Sequence, residues 1–158
     1  IPARIYTDSR KNAMSRLLEF ETNIEQAVAQ FFDNNGLIAN ISRGVVDLAD
    51  NNIQINFEYL GALEETRQHL AGHFEYNTHQ GTLNIVVHTF RTNENLHNTR
   101  LGQVRRLLLN HYNGLSVSHY KFIDLLPQTT STSELEESNV DSTQLLYLLR
   151  FEVDLTQI

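Results

Sequence analysis

The chain carries seven histidines, and their spacing decides whether they could hold a metal. His69 and His73 stand four residues apart, so on a helix their imidazoles would converge on one side as zinc ligands do. His79 would bring a third nitrogen donor, and the chemistry would be that of a histidine-ligated metalloenzyme. The zincin pattern needs Glu directly after the first His, and Leu70 stands there instead. Gly72 also disfavours a helix at this place, and no carboxylate is positioned as a fourth ligand or a base. A metalloenzyme built on His69, His73 and His79 is therefore the weaker reading. Polar loop histidines without a metal are the stronger one.

Other catalytic groupings fare no better. His88 lies on a strand, on the face opposite Val87, and His111 lies on the apolar face of a helix; both read as packed or backbone-bonded residues rather than general bases. A nucleophilic serine needs a base held against it and a third group to orient that base. The serines here fall in an acidic stretch or at helix starts, with no Gly-x-Ser-x-Gly elbow. Gly61, Gly72, Gly81, Gly102 and Gly114 are isolated, so neither a Walker A loop nor a dinucleotide fingerprint is present. Glu64-Glu65 and Glu136-Glu137 are adjacent pairs, and adjacent acids point apart on most backbones. No catalytic residue, cofactor or metal is expected, and the chain reads as a non-enzyme.

The elements that would position these residues follow from hydrophobic periodicity. Between Asp8 and Asn34, Ala13, Leu17, Phe20, Ile24, Ala27, Val28 and Phe31 recur at three- and four-residue spacing, which predicts one long helix. Asp8 or Ser9 would cap its start, and Asn34-Asn35-Gly36 would stop it. Ile53, Ile55, Phe57 and Tyr59 alternate with polar residues, as do Phe74 and Tyr76, and then Leu83, Ile85 and Val87. These read as strands, the last two joined as an antiparallel hairpin, with a polar connection over Gly61–Gly72. A second helix is predicted from Glu94 to His111, followed by a strand through Tyr120, Phe122 and Leu125. From Pro127 to Thr143 the chain is rich in Ser, Thr and acids, which predicts a polar acidic loop. Leu145, Tyr147, Leu149, Phe151 and Val153 then give the clearest strand alternation of all. The expected fold is α+β: an antiparallel sheet packed against a long N-terminal helix and a second helix.

Length and charge narrow the classes further. The chain has 158 residues and a formal net charge of −7, which suits one domain over residues 1–158 and disfavours general binding to a phosphate backbone. It has no cysteine, so disulfides and thiolate chemistry are excluded. No apolar run approaches the roughly 20 residues that span a bilayer, and Ile1–Thr7 lacks the pattern of a signal peptide. The first residue is not Met, as when an initiator has been removed or left out of the numbering. A soluble intracellular product with no membrane partner is expected.

Two features suggest interaction instead of catalysis. Glu134, Glu136, Glu137 and Asp141 form an acidic stretch that could dock on a basic neighbour. Arg100, Arg105 and Arg106 form a loose basic group, as do Arg10, Lys11 and Arg16; solvated helix faces are the simpler account of both. A small regulatory domain using the first of these groups on DNA is one alternative, and salt-dependent association would reveal it. Long apolar strands also leave sheet edges that must be covered or paired with another chain.

The order of these elements resembles the tail terminator and tail-completion (neck) proteins of long-tailed bacteriophages. The segments that carry the resemblance are LLEFETNIEQAVAQFF, GTLNIVVHTFRT, LGQVRRLLLNHYNGL and LLYLLRFEVDL. The polar stretches at Gly61–Gly72 and Pro127–Thr143 are longer than in the simplest members. The resemblance implies a non-enzymatic virion protein, assembled in the host cytoplasm. It would form a homo-oligomeric ring, usually a hexamer, that caps the tail tube and joins tail to head. Its partners would be its own copies, the tail tube protein and head-side connector proteins, with genomic DNA passing through without specific binding. A head-completion or stopper protein of the same particle is the alternative that this resemblance leaves open.

Overall fold

A computed structural model describes residues 16–41, 52–66, 77–90, 94–135 and 140–154. The apolar stripe expected of the first helix forms α1 (Phe20–Asn34), which buries Phe20, Ile24, Val28, Phe31 and Phe32. Its C-terminus closes as the Asn-Gly pair predicts. Gly36 takes φ +80°, its amide donates to the Asp33 carbonyl, and the Leu37 amide donates to the Phe32 carbonyl at 2.9 Å. That is the Schellman pattern, in which two otherwise orphaned carbonyls are satisfied.

The expectation of one unbroken long helix is corrected. Arg16 and Leu17 are helical, but Leu18 turns and Glu19 leaves helical geometry with ψ 66°, so α1 has 15 residues and is about 22 Å long at the standard rise. Side chains explain the break. The Tyr120 hydroxyl donates to the Leu17 carbonyl, and Asn23 Nδ2 donates to the Arg16 carbonyl at 2.8 Å. Those two carbonyls would otherwise accept the helical amides of residues 20 and 21. The expected cap at Asp8 or Ser9 lies outside the described residues, as does the strand at Phe74–Tyr76.

Among the described residues, five strands form one sheet in the order β1-β2-β3-β5-β4. They are β1 (Ala39–Ile41), β2 (Asn52–Thr66), β3 (Asn77–Phe90), β4 (Tyr120–Leu135) and β5 (Val140–Val153). The second helix, α2 (Glu94–Leu109), connects β3 to β4. The pairs β2–β3, β3–β5 and β5–β4 are antiparallel, but β1 runs parallel to β2. The sheet is therefore mixed rather than wholly antiparallel, and a three-residue strand is too short to show the alternation that would have announced it.

The polar stretch read as an acidic loop differs most. Residues 127–135 continue β4 and residues 140–143 begin β5; only 136–139 lie outside the described residues. An edge strand can remain polar because its neighbour supplies the buried surface, and β5 is that neighbour.

Both helices cover the same face of the sheet, α1 against β2 and β1 and α2 against β3. The core between them joins Ile24, Val28 and Phe32 to Ile55, Phe57, Leu83, Ile85, Leu145, Leu149 and Phe151, with Leu101, Val104 and Leu108 from α2. Packing is tight at Gly81, where an added Cβ would overlap the Phe57 ring and lie 2.6 Å from the Glu58 carbonyl oxygen. Opposite partners in an antiparallel ladder share a face, so Asn56, Asn84 and Leu146 lie on the other side, away from the helices.

Candidate interaction surfaces

The histidines are placed by packing. His69 and His73 lie outside the described residues. His79, on β3, is half-buried, and its Nδ1 is 2.7 Å from the Tyr59 hydroxyl. Its ring stacks on Phe151 with centroids 5.4 Å apart and lies 4.8 Å from that of Phe20. Burial holds its pKa below the ordinary imidazole value, so the neutral ring is favoured. Among the described residues no group of three His, Asp or Glu side chains could hold a metal.

At the opposite end of the strands, two buried histidines hold β5 from both faces. His88 on β3 lies 2.5 Å from Ser142 Oγ through Nδ1, and His97 on α2 lies 2.8 Å from Thr143 Oγ1 through Nε2. Ser142 and Thr143 are adjacent on a strand and so project to opposite faces. His88 and Ser142 meet the distance that nucleophilic catalysis asks of a base and a hydroxyl, yet they are only 3% and 7% exposed. The two surface grooves described below are lined by other residues. Their arrangement fixes register. The sequence pattern located His88 on the correct strand but offered no sign of His97, whose partner lies 46 residues away.

The charged candidates are dispersed. Arg100 donates to Gln103 Oε1 at 3.3 Å. Arg105 lines a groove with Tyr147, where its charge lowers the phenol pKa while burial, the larger influence, raises it. Arg106 faces another groove beside Phe31 and Leu37. A helix advances by about 100° per residue, so these three side chains fan around α2 instead of forming one patch. On the acidic side, Asp141 is half-buried and near enough to His97 to raise its pKa, although burial lowers it more. Glu134 pairs in register with Asp141 at the closing end of β4 and β5. Glu136 and Glu137 lie outside the described residues. The acidic group is thus divided, with one member turned inward.

Open surface is found elsewhere. One groove of about 420 Å³ lies between the C-terminal ends of α1 and α2. A second, of about 300 Å³, runs between α2 and β4 and is lined by Arg105, Leu108, Leu109, Leu125 and Tyr147. Beside it runs the outer edge of β4, where Lys121, Ile123, Leu126, Gln128, Thr130 and Ser131 are exposed. β4 pairs with β5 alone, so among the described residues no strand meets its other edge. On the other side of the sheet, β1 pairs with Ile53–Ile55 of β2.

No protein-family model matches the chain, and no curated protein matches it. Among solved structures, a chain of the "Virion of native gene transfer agent (GTA) particle" is similar to it at 14% sequence identity and a TM-score of 0.57. The match covers 83% of this chain and 92% of that chain. At this identity the likeness is one of fold.

Proposed function

We propose that this chain is a structural subunit of a virion, and within it a tail terminator that forms a ring, caps the tail tube and joins tail to head. The observation that carries the reading is the fold shared over most of both chains with a subunit of a virion particle. The surfaces are consistent with it. The chemistry-bearing side chains of the described core are engaged in packing, whereas among the described residues the outer edge of β4 meets no strand and two grooves are open to a neighbour. Such surfaces suit heterologous contacts, which generate a ring when the rotation closes. A net charge of −7 favours a conduit that DNA can traverse, because like charge lowers adhesion.

The test is assembly of particles lacking this chain. A subunit that caps a growing tube leaves, when removed, overlong tails that do not join heads. Tails of normal length beside heads that lose their DNA would instead assign the chain to head completion. Infectious particles assembled normally without it would refute both roles. Light scattering on the purified chain supplies the companion measurement, with six times the monomer mass expected for the hexamer.

A further inference from the structure

The ring reading leaves open which surfaces meet, and the two helices on one face of the sheet supply an answer through their charge. We propose that the groove between α2 and β4 in one copy receives the outward face of α1 of a second copy, so that an arginine-bearing helix meets an acidic one at each contact around the ring. The inference rests on the ring reading and specifies its contact.

Self-association of a chain with a net charge of −7 is opposed by its own charge, so copies meet best where a basic surface faces an acidic one. α2 is the basic element, with Arg100, Arg105 and Arg106 against Glu94. α1 carries Glu21, Glu25 and Asp33 and neither Lys nor Arg. The groove that Arg105 borders lies on the β4 side of α2, whereas α1 lies on the other side, over β2 and β1. The two surfaces therefore stand apart within one copy, as a head-to-tail contact requires. Along that flank of α2, Asn98, Gly102, Arg105 and Leu109 follow at helical spacing, and all are exposed, Leu109 by 76%. The outward row of α1 is Thr22, Gln26, Ala29 and Asp33, with the same intervals and no bulky apolar side chain.

One residue in each row works against its own helix. Gly102 weakens a helix interior, yet an added Cβ there would meet nothing within 4 Å, so packing inside the chain gives no reason for it. Asp33 puts negative charge in the last turn of α1, at the negative end of the helix dipole, where no basic residue offsets it. Among the described residues neither Asp33 nor Arg105 makes an ion pair. Departures of this kind, uncompensated within the fold, are expected at contact sites. Bringing Asp33 of one copy to Arg105 of the next accounts for both charges, and the open space at Gly102 lets the helices approach closely. Leu109, with Leu108 and Leu125 in the groove, adds apolar burial to the contact.

Charge exchange tests the contact, with light scattering measuring the mass of the purified chain at low ionic strength, where charge is least screened. R105E and D33R each set like charges against one another, and each is expected to reduce the ring mass to that of one chain. The double variant R105E/D33R restores opposite charges at every contact and is expected to recover the ring. G102L favours the helix yet fills the space left for the neighbour, and a folded single chain is expected from it. A ring of full mass from R105E, D33R or G102L would overturn the inference while leaving the ring reading intact. Loss of the ring in both charge variants without recovery in the double would do the same. A monomer of the unaltered chain at every concentration would remove both. Circular dichroism of each variant confirms that helices and sheet have formed before the mass is read.

Discussion

The two ends of the sheet are closed by different means, although the same strands β3 and β5 run through both. At one end, Phe151 lies among aromatic rings: Tyr120 stacks on it at 5.4 Å, His79 at 5.4 Å and Phe20 packs edge-on at 5.5 Å. At the other, His88, His97, Thr89, Ser142 and Thr143 are buried polar side chains, and two hydrogen bonds tie the histidines to β5. Aromatic burial is strong and tolerant of direction, so that end depends on volume and fit. A buried hydrogen bond adds little net stability but is costly to leave half-made, so the polar end depends on register. One end makes the sheet stable; the other tells it which pairing to adopt.

Substitutions can break this division, and the largest effect is expected where volume is lost. Phe151→Ala removes the ring on which the aromatic end converges and should destabilise the fold by about 3–5 kcal/mol, measured by chemical denaturation. If the loss were under about 1 kcal/mol, the aromatic end would not be the stable one. Next comes Gly81→Ala, which forces a methyl against Phe57 and the Glu58 carbonyl oxygen and should cost about 1–3 kcal/mol through overpacking. At the polar end, Thr143→Val keeps the volume and removes only the hydroxyl bonded to His97. A cost of about 1–2 kcal/mol is expected from leaving a buried imidazole nitrogen unsatisfied, with broadened amide resonances along β5 if register is what the bond secures.

The smallest effect at neutral pH is titration, and it samples both ends at once. Burial lowers the pKa of His79 at the aromatic end and of His97 at the polar end, the latter against an opposing pull from Asp141. A depressed folded-state pKa means that the unfolded chain binds protons first as the solution acidifies. Stability is therefore complete above the ordinary imidazole value of 6.5 and falls as pH drops below it. Thermal midpoints between pH 7.5 and 5 should decline, and H79F and H97Q should each remove part of the slope. A flat profile would mean that neither imidazole is buried as described.

Much of the architecture was legible because local patterns and burial agree. The stripe from Phe20 to Phe31, the Asn35-Gly36 stop and the alternations at Ile53–Tyr59, Leu83–Val87 and Leu145–Val153 each announce an element that the structure contains. What misled were places where a distant partner decides the outcome. The periodicity runs unbroken from Leu17 to Phe20, yet Tyr120 takes the Leu17 carbonyl from 103 residues away and the helix breaks at Leu18–Glu19. The stretch after Pro127 has the composition of a loop, yet β5 lies alongside and turns it into a strand. The candidate arginines were grouped by sequence proximity, and helical rotation separates them.

The sequence by itself determined the α+β composition of the fold, the apolar faces and the absence of thiol chemistry, because side-chain type and spacing act locally. Only the tertiary structure decided that β1 runs parallel, that β4 extends to Leu135, and that His97 meets Thr143. Those outcomes depend on which main-chain groups find partners across the chain, and a backbone amide carries no mark in the sequence of the partner it will take.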